Sequence, residues 1–132
     1  MPNATGTFTV RLEAADTSAL GQQAGLGRMS IDKIFEGDFE GASQGEMLTE
    51  ATAATGSMSY VALERCRGLL MGRGGSFVLM HTASMVGDDV VMIVRVVPNS
   101  GTEQLAGLTG EMTVKIVAGV HTYHFAYQIG TT

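Results

Sequence analysis

The chain has 132 residues, 45% of them hydrophobic, with eight basic against thirteen acidic side chains and a formal charge of −5. That length fits one domain, residues 1–132, with a core large enough to need no disulfide or metal staple. The apolar content excludes a disordered chain, the lack of a Lys/Arg cluster argues against nucleic acid as a partner, and the single Cys66 excludes an internal disulfide or a multi-cysteine metal site.

Residues 5–14 alternate Phe8, Val10 and Leu12 against Thr7, Thr9 and Arg11, the period of two that a strand with one buried face requires. Residues 16–27 are too short and glycine-rich for a helix and are expected to form a loop. Residues 28–36 place Met29, Ile31, Lys33 and Phe35 on one face of a second strand. Gly37-Asp38-Phe39-Glu40-Gly41 is expected to be a sharp turn or a bulge, and residues 45–54 a third strand closed by Thr55-Gly56-Ser57. Residues 59–85 form a hairpin about a tip at Gly72-Arg73-Gly74-Gly75.

Gly87-Asp88-Asp89 then turns the chain into residues 90–97, the most β-branched run, which Pro98 ends because it cannot donate to a ladder. Residues 102–107 suggest one helical turn with Thr102 capping it and Gly107 terminating it. Residues 111–118 and 121–129 are two last strands about Gly119-Val120, and all the glycine clusters are expected to be turns. About eight strands joined in sequence order favour an all-β, eight-stranded antiparallel barrel. Closure removes exposed edges, and the interior is wide enough for side chains or one small ligand. No apolar run reaches the roughly 20 residues of a membrane helix, so no membrane partner is expected. Met1-Pro2-Asn3 leads into strand-like sequence with no secretory pattern, so a cytoplasmic location is expected.

Four segments carry a resemblance. They are Gly37-Asp38-Phe39-Glu40-Gly41, Tyr60-Val61-Ala62-Leu63-Glu64-Arg65, the run from Gly72-Arg73-Gly74-Gly75 to His81, and Ser100-Gly101-Thr102-Glu103-Gln104-Leu105 with the residues to Gly110. In this order they resemble a family of small bacterial proteins catalogued as a domain of unknown function, with a fold like the allene oxide cyclase barrel. The resemblance covers nearly the whole chain and implies an eight-stranded antiparallel barrel. It carries no catalytic set with it. Relatives by fold include cyclases that hold an apolar substrate in the lumen, an analogy of fold alone.

Candidate site residues are the polar groups set among apolar strand neighbours. Glu64 and Arg65 are adjacent and point to opposite faces, so one of them enters the lumen and requires a partner such as Tyr127, His81 or Glu46. His81 shares a face with Phe77, Leu79, Ala83 and Met85; the last strand sets His121, Tyr123, Phe125, Tyr127 and Ile129 on one face and His124 on the other. The catalytic candidates are therefore Glu64, His81 and Tyr127, with a desolvated Glu64 expected to have a raised pKa and to exchange protons. Phe77 and Leu79 would shape the wall, Tyr123 and Tyr127 would orient a ligand, and Arg65 completes the binding set. Each has a plain structural reading beside the functional one: a buried ion pair, a satisfied core histidine, ordinary aromatic packing. No metal and no cofactor is expected, since the three histidines lack ligand spacing.

The expected function is binding of a small hydrophobic molecule in the lumen, as a cyclase or isomerase. The alternative is a non-catalytic carrier or an oligomeric module, because residues 90–97 are apolar on both faces and their outer face needs cover. A homo-oligomer is expected because barrels of the fold that the resemblance implies often associate, and its subunit number is left open.

Overall fold

In a computed structural model that describes residues 2–52 and 54–130, the chain forms a closed antiparallel barrel of eight strands, each hydrogen-bonded to its neighbours in sequence and the last to the first. The strands are β1 (Asn3–Ala15), β2 (Gly27–Gly37), β3 (Phe39–Thr52), β4 (Ser57–Leu70), β5 (Arg73–Val86), β6 (Asp89–Val96), β7 (Leu108–Val117) and β8 (Val120–Ile129). Alternation is what builds the wall: the inward positions of β4, for example, are Tyr60, Ala62, Glu64 and Cys66, while Val61, Leu63 and Arg65 face out. No helix among the described residues is long and apolar enough to cross a membrane.

Four local expectations need correction. Residues 16–27 are not a plain loop: α1 (Ala19–Gln23) forms there, nucleated because the Ser18 hydroxyl accepts the Gly21 N–H and Arg28 holds the Asp16 carbonyl from the neighbouring strand. The β4–β5 hairpin is tighter than its glycines suggest. Met71 and Gly72, with φ of 49° and 83°, make a two-residue turn whose mirror-image geometry matches the strand twist, and Arg73 already belongs to β5. Gly75 therefore sits within a strand, where the backbone around Thr102 crosses too closely for a side chain. Finally, Thr102 does not cap the 3-10 turn at Glu103–Leu105; its hydroxyl bonds the Ser76 N–H and hydroxyl on β5 instead, pinning that turn across the end of the barrel. The predicted third strand begins earlier than residue 45, since β3 starts at Phe39; the position 53 included in that expectation lies outside the described residues.

The barrel is packed unequally along its axis. One half is solid. Phe8, Phe35, Phe39, Phe77, Phe125 and Tyr127 form a chain of rings with successive centroids 5.1 to 6.0 Å apart. Leu70, Leu105 and Leu108, all buried, close that end. Each buried ring contributes about 1.5–3 kcal/mol through apolar area removed from water. The other half is open. On that side β6 and β7 pair only through Val94–Met112 and Arg95–Glu111, so the start of β6 and the end of β7 separate, whereas β7 and β8 stay in register from Leu108–Ile129 to Val117–Val120. Met92 and Val114 lie on the two sides of this gap, both lining a cavity behind it.

Candidate functional site

The floor of the open half is a buried carboxylate with three partners from three strands. Glu64 on β4 has no exposed side-chain surface. The Lys33 ammonium on β2 donates to Oε1 at 2.8 Å, His81 Nε2 on β5 donates to the same oxygen at 2.5 Å, and the Ser43 hydroxyl on β3 donates to Oε2 at 2.6 Å. The register makes this possible. Gly45 stands opposite Glu64 across the β3–β4 pair, and a Cβ there would lie 2.2 Å from the Leu63 carbonyl oxygen and 2.7 Å from the Glu64 Cα and Cβ, so glycine is what lets the two backbones approach at the level of Glu64.

The network decides the ionisation of Glu64. Burial alone pushes a carboxyl up, but the His81 hydrogen bond and the Lys33 charge outweigh it and hold Glu64 at about 2. The expected raised pKa is thus corrected: three donors favour the charged form more than desolvation opposes it. An ionised carboxylate only accepts, so His81 carries its proton on Nε2, and Nδ1 has no hydrogen-bond partner among the described residues. The hydrogen bond to Glu64 thus fixes the orientation of the His81 ring.

Above this floor is a cavity of about 150 Å³ lined by Lys33, His81, Tyr60 and His121 and by an apolar wall that includes Val10, Ile31, Met47 and Met92. The Lys33 ammonium lies 4.9 Å from the centre of the Phe8 ring, a cation–π contact on its unpaired side. His121 packs on the same ring with centroids 5.1 Å apart. The Tyr60 hydroxyl is pushed up in pKa by burial and by the Glu64 charge, so it remains a neutral donor. A larger depression, about 690 Å³, runs over β3, β4 and β5 among the outward side chains of Leu48, Val61, Leu63 and Met80, and Glu64 and His81 are among the residues along its floor.

The structure brings Glu64 and His81 together and separates the other candidates from them. Glu64 faces in and Arg65 faces out, exposed, away from the lumen. Phe77 and Leu79 are fully buried in the solid half and present no surface to the cavity. Tyr127 shares the inward face of β8, but it lies in the aromatic plug, stacked on Phe125, and is no partner of Glu64. Tyr123 is a clasp: its hydroxyl accepts the Phe39 N–H at 2.9 Å and faces the Glu36 and Phe39 carbonyls at 3.0 and 3.1 Å, tying β8 to the β2–β3 turn. Cys66, fully buried beside Glu64, has its thiol pushed up by burial.

Lys33, Ser43 and Tyr60 were not among the expected site residues. The signal for Lys33 was present, since a cation on the face of Met29, Ile31 and Phe35 demands a counter-ion. No group of three or more His, Cys, Asp or Glu side chains among the described residues is placed to hold a metal ion.

Fold and site together define a small barrel, solid at one end and open at the other onto a carboxylate held by buried lysine, histidine and serine. The chain belongs to the DUF3224 family, described as proteins of unknown function, whose model matches residues 4–127. It is similar to a crystal structure of a protein of unknown function from that family in Shewanella oneidensis MR-1, with 43% identity and a TM-score of 0.91 over 100% of this chain and 99% of that one. No curated protein matches it.

Proposed function

We propose that the open half of the lumen binds a small, mostly apolar molecule and that His81, oriented by Glu64, exchanges a proton with it, as an isomerase or cyclase would. One observation carries this reading: the Lys33–Glu64–His81 network is buried, yet Lys33 and His81 also line a cavity with apolar walls and a gap in the sheet beside it. A network serving stability alone needs no cavity, and a polar floor under an apolar wall is the common form of a small-molecule site. The test is deuterium uptake from D2O into the α-positions of a ring ketone such as cyclohexanone. Catalysed uptake that His81→Ala abolishes supports the reading. Uptake at the buffer rate removes proton exchange, and a ketone that binds without exchanging identifies a carrier.

A second reading concerns the outer wall. Leu48, Val61, Leu63 and Met80 are exposed on β3–β5, as are Val91 and Ile93 on β6, and they favour association with another copy of the chain. A monodisperse monomer in analytical ultracentrifugation overturns it.

A further inference from the structure

Resting on the lumenal reading above, we propose that the site selects a small monoanion, a carboxylate or enolate on an apolar body about the size of one six-membered ring, with Lys33 recognising its charge. Among the described residues Glu64 is the only acidic side chain on the inner faces of the eight strands. Its accepting capacity is largely used: Lys33 and His81 occupy Oε1, and Ser43 occupies Oε2. Donors are in excess. The Lys33 ammonium has three protons, and Glu64 takes one. The Phe8 ring covers part of the rest, and the side chain is only 8% exposed, so water satisfies little of it. The Tyr60 hydroxyl adds a donor with no hydrogen-bond partner among the described residues, and it lines the same cavity.

A ligand that enters therefore meets no free carboxylate: the acceptors left on the wall are the uncharged His81 Nδ1 and the His121 ring, while Lys33 keeps charged donors to give. An anionic oxygen on Lys33 gains a charge-assisted hydrogen bond in a site with little competing water. An ammonium would face Lys33 across a carboxylate already neutralised, and a neutral hydrocarbon would leave the donors unpaired. Size follows from volume: a cavity of about 150 Å³ corresponds to one that holds a single benzene ring. Of the remaining wall, Val10, Ile31, Met47, Met92 and Val114 offer that ring apolar contact, with His81 and His121 as its other polar members.

The experiment is calorimetric titration at neutral pH with benzoate, benzyl alcohol and benzylamine, which share a ring and differ in charge. The wild type is compared with Lys33→Met and with the double variant Lys33→Met/Glu64→Gln, which removes both buried charges together and so avoids a lone buried carboxylate. Benzoate is expected to bind the wild type about tenfold or more tighter than benzyl alcohol, the ratio that one charge-assisted hydrogen bond supplies. In the double variant benzyl alcohol should still bind and the benzoate preference should vanish. Equal affinities, a preference for benzylamine, or a benzoate preference that survives the double variant would overturn anion selection while leaving lumenal binding in place. Binding of none of the three probes would overturn both.

Discussion

Replacing Glu64 by Gln keeps the shape of the side chain and removes the charge at the centre of the network. In the fold the Glu64 carboxyl sits at about 2 against an ordinary 4.5, and at about 1.36 kcal/mol per unit this is about 3 kcal/mol in favour of the ionised form near neutral pH. Loss of one partner of a buried pair costs a similar amount, about 3–5 kcal/mol, because the other charge is left uncompensated. Glu64→Gln should therefore lower stability by about 3 kcal/mol and the melting temperature by roughly 10 °C. The chain has no tryptophan, so urea unfolding followed by far-UV circular dichroism is the assay. A double-mutant cycle with Lys33→Met isolates the pair: the double variant should be more stable than the summed single losses imply, by about 2 kcal/mol. A Glu64→Gln loss below about 1 kcal/mol, or single effects that simply add, would refute the claim that Lys33 and Glu64 neutralise each other in the lumen.

Three other outcomes follow from particular contacts. Because the folded Glu64 carboxyl lies below its ordinary value, its stabilisation is complete above about pH 5 and fades as pH falls towards 2, so the advantage of the wild type over Glu64→Gln should shrink across that window in unfolding curves taken at successive pH values. Tyr123→Phe leaves the buried Phe39 N–H without its acceptor and should cost about 1–3 kcal/mol in the same unfolding assay; an unchanged midpoint would contradict the clasp. Cys66, fully buried with a raised thiol pKa, should react with a thiol reagent only at the rate of global opening, so the reaction should accelerate with urea in step with unfolding. Fast labelling in native buffer would show that the wall at β4 opens on its own.

The alternation of Phe8, Val10 and Leu12, the β-branched run after Asp89 and the stop at Pro98 made the strands and their closure legible, since period and breakers are local signals. So did the inward face of β8. Axial position was not legible: Tyr123, Tyr127 and His121 share one face, yet the stagger of the strands puts the tyrosines in the solid half and His121 at the cavity. The choice between Glu64 and Arg65 was equally hidden, because Leu63 and Val61 outside are larger than Ala62 and Cys66 inside, the reverse of what hydrophobicity suggests. Lys33 was seen on the inner face but its partner lay 31 residues on in sequence, a pairing that only register reveals. The ionisation of Glu64 depends on that same pairing, which is why desolvation alone gave the wrong direction.

The nine methionines provide the most direct test of lumenal binding, since Met47 and Met92 line the cavity while Met71 and Met80 are exposed on the outside. Methyl-labelled methionine spectra recorded during a benzoate titration should show the Met47 and Met92 signals moving together along one saturable curve, with Met71 and Met80 unmoved. Movement of Met80 alone, or of no methionine at millimolar probe, would place binding outside the barrel or nowhere and contradict the account.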